Sequence, residues 1–452
     1  MSEGANTRQV QIRLVTRDTE LQVPDAPLYV PVSLKRYGLS EVVNQLLDQD
    51  TPIPFDFLID GKLLRSSLDG YLIANGLSNE TTITLEYARS ILPPSFLASF
   101  AHQDWVSAVS ISRNKATQKI ATGSYDGVVR LWNHSGSVTH QLVGHNAAVK
   151  AVQWTDASRL VSGGSDRILY LWKFANNNSN EETHDNDDED DEDAASGKKG
   201  SIVAVLQGHT ASVDDLAYNK STKQIVSASA DSTLKVWSSN YKELPAAETL
   251  AKSSSTASQK RRRVAAASLT SSRTRGALST LTGHSAPVTG VVYHHTDNHV
   301  VYSVSQDHTV RTWDTATESL VDTKTTSFPL LSIASLGPHT GLLACGSSAR
   351  HITLIDPRTT TTTSQAQLIG HTNFVVSLAP SPDNHYMFCS GSHDGTTRIW
   401  DVRAQKSVYV ISRESGESPT AVYGVDWDTT VGIASAGQDK KLQINSAAFS
   451  KK

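Results

Sequence analysis

Residues 390–401 read "SGSHDGTTRIWD", which sets a Ser, a His and an Asp in a row ahead of a Trp-Asp pair. A hydrolytic triad needs side chains that converge in space, whereas Ser392, His393 and Asp394 are neighbours that diverge from one tight turn. Recurrence decides the matter, because self-similarity at a fixed period marks a repeat architecture. The stretch does recur: "TGSYDGVVRLWN" begins at Thr122, "SGGSDRILYLWK" at Ser162, "SASADSTLKVWS" at Ser227 and "SVSQDHTVRTWD" at Ser303. In all five copies an Asp (Asp126, Asp166, Asp231, Asp307, Asp394) stands six residues before a Trp, and a His (His102, His145, His209, His284, His371) lies 21 to 24 residues before that Asp.

Two weaker copies complete the series. "CGSSARHITLID" carries Ala349 and Ile355 where the Asp and Trp belong, and "SAGQDKKLQINS" keeps Asp439 but has Asn445 in place of the Trp. The anchors then step by 40, 65, 76, 42, 45 and 45 residues, which makes seven units with two long intervals. Each unit reads as short alternating strands separated by turn residues, such as "VKAVQW" from Val149 and "RLVSGG" from Arg159, the pattern of radially arranged four-stranded blades. Residues 95–449 thus resemble the WD-repeat β-propeller family. That resemblance implies a scaffold role for His371, Asp394 and Trp400, linked inside a blade by hydrogen bonds that relieve a desolvation cost of about 1–3 kcal/mol per buried polar group. The last unit lacks an outer strand of its own, and "SFLASF" at 95–100 is a strand without a blade. Pairing the two closes the ring and removes an exposed edge. Blades five and seven, short of network residues, are expected to be the looser ones.

The long intervals are insertions between third and fourth strands, expected on one face of the disc. Residues 176–200 hold ten acidic side chains between positions 181 and 193, a run that buries no apolar surface and reads as disordered. Residues 241–276 form a Ser/Thr-rich segment, also read as disordered, with Lys260, Arg261, Arg262 and Arg263 adjacent, a basic cluster of the nuclear-import kind. The chain's net charge of −4 argues against a general nucleic-acid-binding surface. Two cysteines and no apolar run of membrane-spanning length point to a soluble protein of a reducing compartment, with no membrane partner.

Residues 8–90 lie outside the repeats. "VQIRLVTR" and "LYVPVSLKRY" read as strands, and "LSEVVNQLLDQ" as a helix capped by Ser40 with Val42, Val43, Leu46 and Leu47 on one face. "FDFLIDGKLL" is a hairpin turning at Asp60-Gly61, and "TTITLEY" a last strand. This order resembles the ubiquitin-like β-grasp, so the expected fold is mainly β: a seven-bladed propeller preceded by a small α+β domain.

A ubiquitin-like domain ahead of a WD-repeat propeller resembles the ribosome-biogenesis proteins with a Notchless-like N-terminal domain, and within them the WD-repeat subunit of the PeBoW-type complex (pescadillo, block of proliferation, WD-repeat protein). The resemblance implies a non-enzymatic assembly factor for the 60S subunit in the nucleolus and nucleoplasm. Its implied partners are a block-of-proliferation-type propeller, a pescadillo-type protein, the pre-60S particle and a midasin-type AAA ATPase. That ATPase grips the ubiquitin-like domain through a Mg²⁺ ion held in its adhesion site, so the chain has no cofactor of its own. The family's Ser-x-Glu motif falls on "GLSNETTITLEY", which assigns Glu80 as the carboxylate offered to the metal and Ser78 as its support, with Glu86 the nearest rival. Asp104 and Tyr125, in loops of the first blade, are candidate partner contacts.

Two other classes are weighed. No phosphate-binding loop, dinucleotide fingerprint, zinc spacing or nucleophile elbow is present, which leaves no basis for an enzyme or a small-molecule substrate. A substrate adaptor of a ubiquitin ligase stays open, although "EYARSILPP" runs on where a conjugating Gly-Gly tail would stand.

Overall fold

The computed structural model describes residues 8–48, 52–78, 80–90, 92–113, 119–174, 200–247, 274–359, 366–403, 406–413 and 420–447. The chain divides into two compact units: Met1–Ser95 with Asp401–Val408 and Ala447–Lys452, and Phe96–Trp400 with Tyr409–Ser446. The acidic run at 181–193 and the cluster Lys260–Arg263 lie outside the described residues.

In the first unit a five-stranded sheet is built around Gln9–Val15. That strand pairs antiparallel with Leu28–Pro31 and parallel with Ile83–Arg89, which continues antiparallel to Phe55–Ile59 and then to Lys62–Leu63. Asp60 and Gly61 both have positive φ (50° and 75°), as a two-residue type I′ hairpin turn requires. Alternate residues Val10, Ile12, Leu14, Ile83, Leu85 and Tyr87 face a core with Phe55, Phe57, Leu39 and Val43, where each large buried side chain contributes about 1.5–3 kcal/mol. Ser40 does not cap the helix. The helix runs Arg36–Leu47 from Lys35, and Ser40 lies buried inside it, its Oγ donating to Ile53 O (3.1 Å) and accepting from Phe55 N (3.1 Å). A polar side chain on a buried helix face needs partners, and here they fix the start of the hairpin strand. Leu46, expected inward, is exposed. A second helix, Leu68–Asn75, occupies the stretch that carried no sequence signal strong enough to assign; Ser67 Oγ caps it by accepting from Gly70 N.

In the second unit seven sheets follow one another, numbered as blades 1 to 7, with first strands starting at Val106, Val149, Val213, Val288, Leu330, Val375 and Val422. Each holds four antiparallel strands, and the last takes its fourth from the start of the unit: Phe96–Ala101 pairs with Lys441–Asn445, Leu442 facing Phe100. In every blade the register of the first strand shifts immediately after its first residue. This repeated bulge turns one side chain per blade out of the ladder.

The insertions begin after the third strands of blades 2 and 3. The ends of the 241–276 segment are folded, contrary to the reading of that whole range as disordered. Tyr241–Glu243 forms a 3-10 turn, and Thr274–Arg275 adds a fifth strand, parallel to Ser201–Gln207, on the outer edge of blade 2. Arg275 stacks over the Tyr241 ring and donates from Nε to its carbonyl (3.2 Å).

The motif residues form internal networks in blades 2, 3, 4 and 6. In blade 6, His371 Nδ1 meets Asp394 (2.8 Å), its Nε2 meets Ser390 Oγ (2.6 Å), and Trp400 Nε1 donates to that same oxygen (2.8 Å). Blade 4 repeats this with His284, Asp307, Ser303 and Trp313. Burial pushes Asp307 up, but hydrogen bonds from Thr309 and His284 outweigh it and bring the carboxyl down to about 2.

Three blades depart from this arrangement. In blade 1, His102 reaches Thr122 Oγ1 (2.9 Å) but turns its Nδ1 to the carbonyl of Phe100 (3.2 Å), while Asp126 pairs with Arg130 (2.7 Å). Blade 7 lacks the Trp and has Arg413 at the histidine position: its amide donates to Gly395 O as that of His102 donates to Lys440 O. Its guanidinium reaches Asp439 (2.7 Å) and Ser435 Oγ (3.3 Å), so this blade is refilled by a buried ion pair where the sequence suggested looseness. Blade 5 keeps none of the four network residues.

Candidate functional site

Helix Leu68–Asn75 ends at Gly76, whose φ of +64° a side chain would strain. The chain then makes a tight turn before the last strand begins at Ile83. Ser78 organises that turn: its carbonyl accepts from Thr81 N (3.3 Å) and Thr81 Oγ1 (2.7 Å), and its own Oγ accepts from Glu80 N (3.3 Å). Thr82 Oγ1 donates to Gln11 Oε1 (2.7 Å), tying the far end to the neighbouring strand. Glu80 is thereby held at the tip, exposed, and among the described residues no cation pairs with it. Glu86 differs: it is mostly buried on the strand and ion-paired with Arg17 (2.8 Å). Ile73 and Leu77, beside this turn in sequence, are exposed apolar side chains.

On the second unit, Tyr125 belongs to an aromatic platform. Its ring lies 5.4 Å from Trp105 and 5.9 Å from Tyr423, Trp105 and Tyr423 are 6.1 Å apart, and the series continues through His393 (5.4 Å from Tyr423) to Phe374 (6.1 Å from His393). Trp105 and Phe374 are 37% and 44% exposed. Such a contiguous aromatic surface is the composition of interface hot spots. Lys150 supplies a cation, its Nζ 2.9 Å from Tyr125 Oη and 4.7 Å from the ring centroid. Asp104 acts through its neighbour: its Oδ1 accepts from Trp105 N (2.8 Å), fixing the turn that presents the indole. Burial lowers the His393 pKa and raises that of Tyr423, so both stay neutral near pH 7.

Sequence reading found Tyr125 and Asp104 but missed Trp105, Tyr423, His393, Phe374 and Lys150. Their signal lay in the repeat register. Trp105 and Phe374 directly precede a first strand, where other blades have Ala148, Ser212, Pro287, Pro329 or Ala421; Tyr125 and His393 directly precede the turn acid. Tyr423 and Lys150 are the bulged residues of their first strands. The structure brings these together from blades 6, 7, 1 and 2.

Among the described residues no three His, Cys, Asp or Glu side chains are grouped so as to hold a metal ion. Cys345 and Cys389 are buried free thiols; burial raises both pKa values, Cys345 to about 12, which leaves them unreactive.

Residues 10–72 match the NLE (NUC135) domain family, and residues 94–133, 136–173, 200–238, 276–314 and 362–401 match the WD domain, G-beta repeat. The repeat matches pass over most of blades 5 and 7, the two without a Trp. Among solved structures, the chain resembles the WD40 β-propeller domain of Doa1 (TM-score 0.56, 19% identity, covering 78% of this chain and 97% of that one), a likeness of fold. It is 51% identical to the ribosome biogenesis protein YTM1 of Candida albicans over 98% of both chains, 50% identical to that of Candida glabrata over 98% of both, and 49% identical to that of Yarrowia lipolytica over 97% of this chain and 98% of the relative. At that identity over nearly the whole length, the chain belongs to the YTM1 family of ribosome biogenesis proteins, a family of WD-repeat scaffolds and not of enzymes.

Proposed function

We propose that the protein is an assembly factor of the large (60S) ribosomal subunit that holds two partners at two sites. Residues 8–90 serve as a ubiquitin-like β-grasp domain and 95–449 as a seven-bladed propeller. The first presents Glu80 to a Mg²⁺ ion in the adhesion site of a midasin-type AAA ATPase, which releases the factor from the pre-60S particle. The second uses the platform around Trp105, Tyr125 and Tyr423 to take a block-of-proliferation-type propeller, joined with a pescadillo-type protein in a PeBoW-type complex of rRNA processing. Lys260–Arg263 direct import, and the protein works in the nucleolus and nucleoplasm.

The observation that carries the metal reading is the state of Glu80: an exposed carboxylate without an ion-pair partner among the described residues, on a turn whose backbone Ser78 locks. Mg²⁺ takes hard oxygen ligands in near-ideal octahedral geometry at about 2.0–2.1 Å, and this turn offers one such oxygen donor. The remaining ligands belong to the partner and to water.

The test is titration of the full chain against the purified adhesion-site domain, with Mg²⁺ and with chelator. Glu80→Ala abolishes binding, and Glu80→Asp does so as well, because withdrawing the oxygen by one methylene breaks the coordination geometry. Capture of the block-of-proliferation-type protein is unchanged in both variants and is lost in Tyr423→Ala. Binding that survives chelator, or is indifferent to Glu80→Ala, overturns the metal role.

A further inference from the structure

The intact networks of blades 2, 3, 4 and 6 fill one particular space. The indole's outermost carbon lies 2.8 Å (Trp172), 3.5 Å (Trp237), 3.0 Å (Trp313) and 2.9 Å (Trp400) from where a β-carbon would stand on the glycine that precedes the network histidine, respectively Gly144, Gly208, Gly283 and Gly370. Blade 5 changes every residue around that space. Thr325 takes the glycine position, Thr326 the histidine, Ala349 the aspartate and Ile355 the tryptophan. The register is fixed by the Thr326 amide, which donates to His308 O (2.7 Å), the bond that His102 and Arg413 make in their blades. The substitutes do not refill the volume. A cavity of about 300 Å³ remains, with Thr325, Thr326 and Ile355 in its wall, Leu330 and Ser347 fully buried in its lining, and Phe328, 44% exposed, at its mouth.

The wall also has a polarity. His351, which lines the cavity, sets its Nδ1 3.1 Å from the carbonyl of Ala349. A carbonyl only accepts, so in the neutral imidazole Nδ1 carries the proton and Nε2 keeps its lone pair; among the described residues no donor reaches it. The Phe328 ring stands edge-on to His351 at 5.5 Å and 80°. The Ser347 hydroxyl is engaged with His351 O (2.8 Å) and that of Thr326 with His308 O (3.0 Å). Lys324 is held by Asp322 (3.3 Å) and by the carbonyl of Thr359. Thr325, Ser327, Thr353 and Gln367 add further polar groups to the lining, and the acceptor at His351 Nε2 is one that a flat, uncharged ring bringing an N–H donor can meet. Apolar cavities of about 150 Å³ already admit a benzene ring, so the space suffices for a larger bicyclic one.

We propose that the blade 5 cavity is a receptor for a single indole, the side chain of a tryptophan presented by a partner protein, entering past Phe328 and donating its N–H to His351 Nε2. A chain-borne indole fits better than free tryptophan, whose ammonium and carboxylate would meet no free counter-charge beside Lys324.

Saturation-transfer NMR of N-acetyl-tryptophanamide with the full-length protein tests this. Transfer to the indole protons is expected, displaced by indole, weakened several-fold by Phe328→Ala at the exposed mouth, and abolished by Thr325→Gly with Ile355→Trp, which builds the missing ring into the cavity. Phe328→Ala decides the matter by itself if the filled variant does not fold. Absence of transfer, transfer unaltered by Phe328→Ala, or equal binding of N-acetyl-tyrosinamide overturns the indole site. Tighter binding of free tryptophan than of the capped form overturns the partner-borne source.

Discussion

Blades 5 and 7 have lost the same hydrogen-bonded network, and they make up the loss in opposite ways. Blade 7 keeps its turn carboxylate, Asp439, and Arg413 enters the histidine position to meet it, with side chains 1% and 13% exposed. A β-carbon on Gly437 would lie 1.4 Å from the Arg413 Nη1 atom, so a glycine there gives the guanidinium its room. Blade 5 has replaced the carboxylate by Ala349, nothing charged is left to neutralise, and small neutral side chains leave a hollow. A buried acid must be matched by a buried base, whereas a deleted acid releases every other network position at once.

The largest expected effect breaks the blade 7 solution. Arg413→Met leaves Asp439, 13% exposed, without its cation and with only the bond from Lys441 N, and breaking a buried pair costs about 3–5 kcal/mol, read as a lower urea midpoint for the full chain. Adding Asp439→Leu recovers most of that loss, since removing both partners of a buried pair is often neutral. A single variant as stable as wild type would make the pair incidental.

The next contrast sets a full network against the empty one. Trp400→Ala in blade 6 removes a fully buried indole and one of the two bonds to Ser390 Oγ, leaving that from His371, at a cost of about 3–5 kcal/mol. Ile355→Ala in blade 5 enlarges an existing hollow and falls at the low end, about 2 kcal/mol. Equal costs would show that blade 5 relies on its Ile as blade 6 does on its Trp.

A smaller effect comes from pH and from blade 1. Burial lowers the His102 pKa to about 4, beneath the ordinary histidine value of about 6.5. The unfolded chain therefore binds this proton more readily than the folded one. The stability contributed by neutral His102 is fully present above about pH 6.5 and is lost as pH falls through about 4. His102→Gln makes the urea midpoint less steep over that window, whereas Thr326, at the same position in blade 5, has no such proton to exchange.

Much of this was legible from residue spacing. The seven anchors, the closing strand at 95–100 and the Asp60-Gly61 turn rest on local patterns that tolerate little variation, because a period-2 strand or a type I′ turn constrains individual residues. Arg413 was not legible, since it stands 26 residues before Asp439, outside the 21–24 spacing of the histidines. The platform escaped for a different reason: Trp105, Tyr423 and Phe374 come from separate blades, and only the register of the repeats brings them into one comparison. At the Glu80 turn the sequence supplied a motif by resemblance, and the part played by Ser78 became visible only as hydrogen bonds.

The smallest effect has the most informative sign. Thr325→Gly with Ile355→Trp rebuilds in blade 5 the glycine and indole of its neighbours. If the hollow holds its shape in solution, the ring enters unoccupied space and the protein gains about 0.5–2 kcal/mol, as cavity filling does elsewhere. If the surrounding side chains close the hollow, the same ring overpacks the blade and costs about 1–3 kcal/mol. Cys345 stands where Ser390 stands in blade 6 and offers the indole only a weak sulfur acceptor; adding Cys345→Ser supplies a hydroxyl and is expected to increase the gain. A gain in the double variant that grows with the serine defines blade 5 as an emptied network site, and a loss in both defines it as a repacked one.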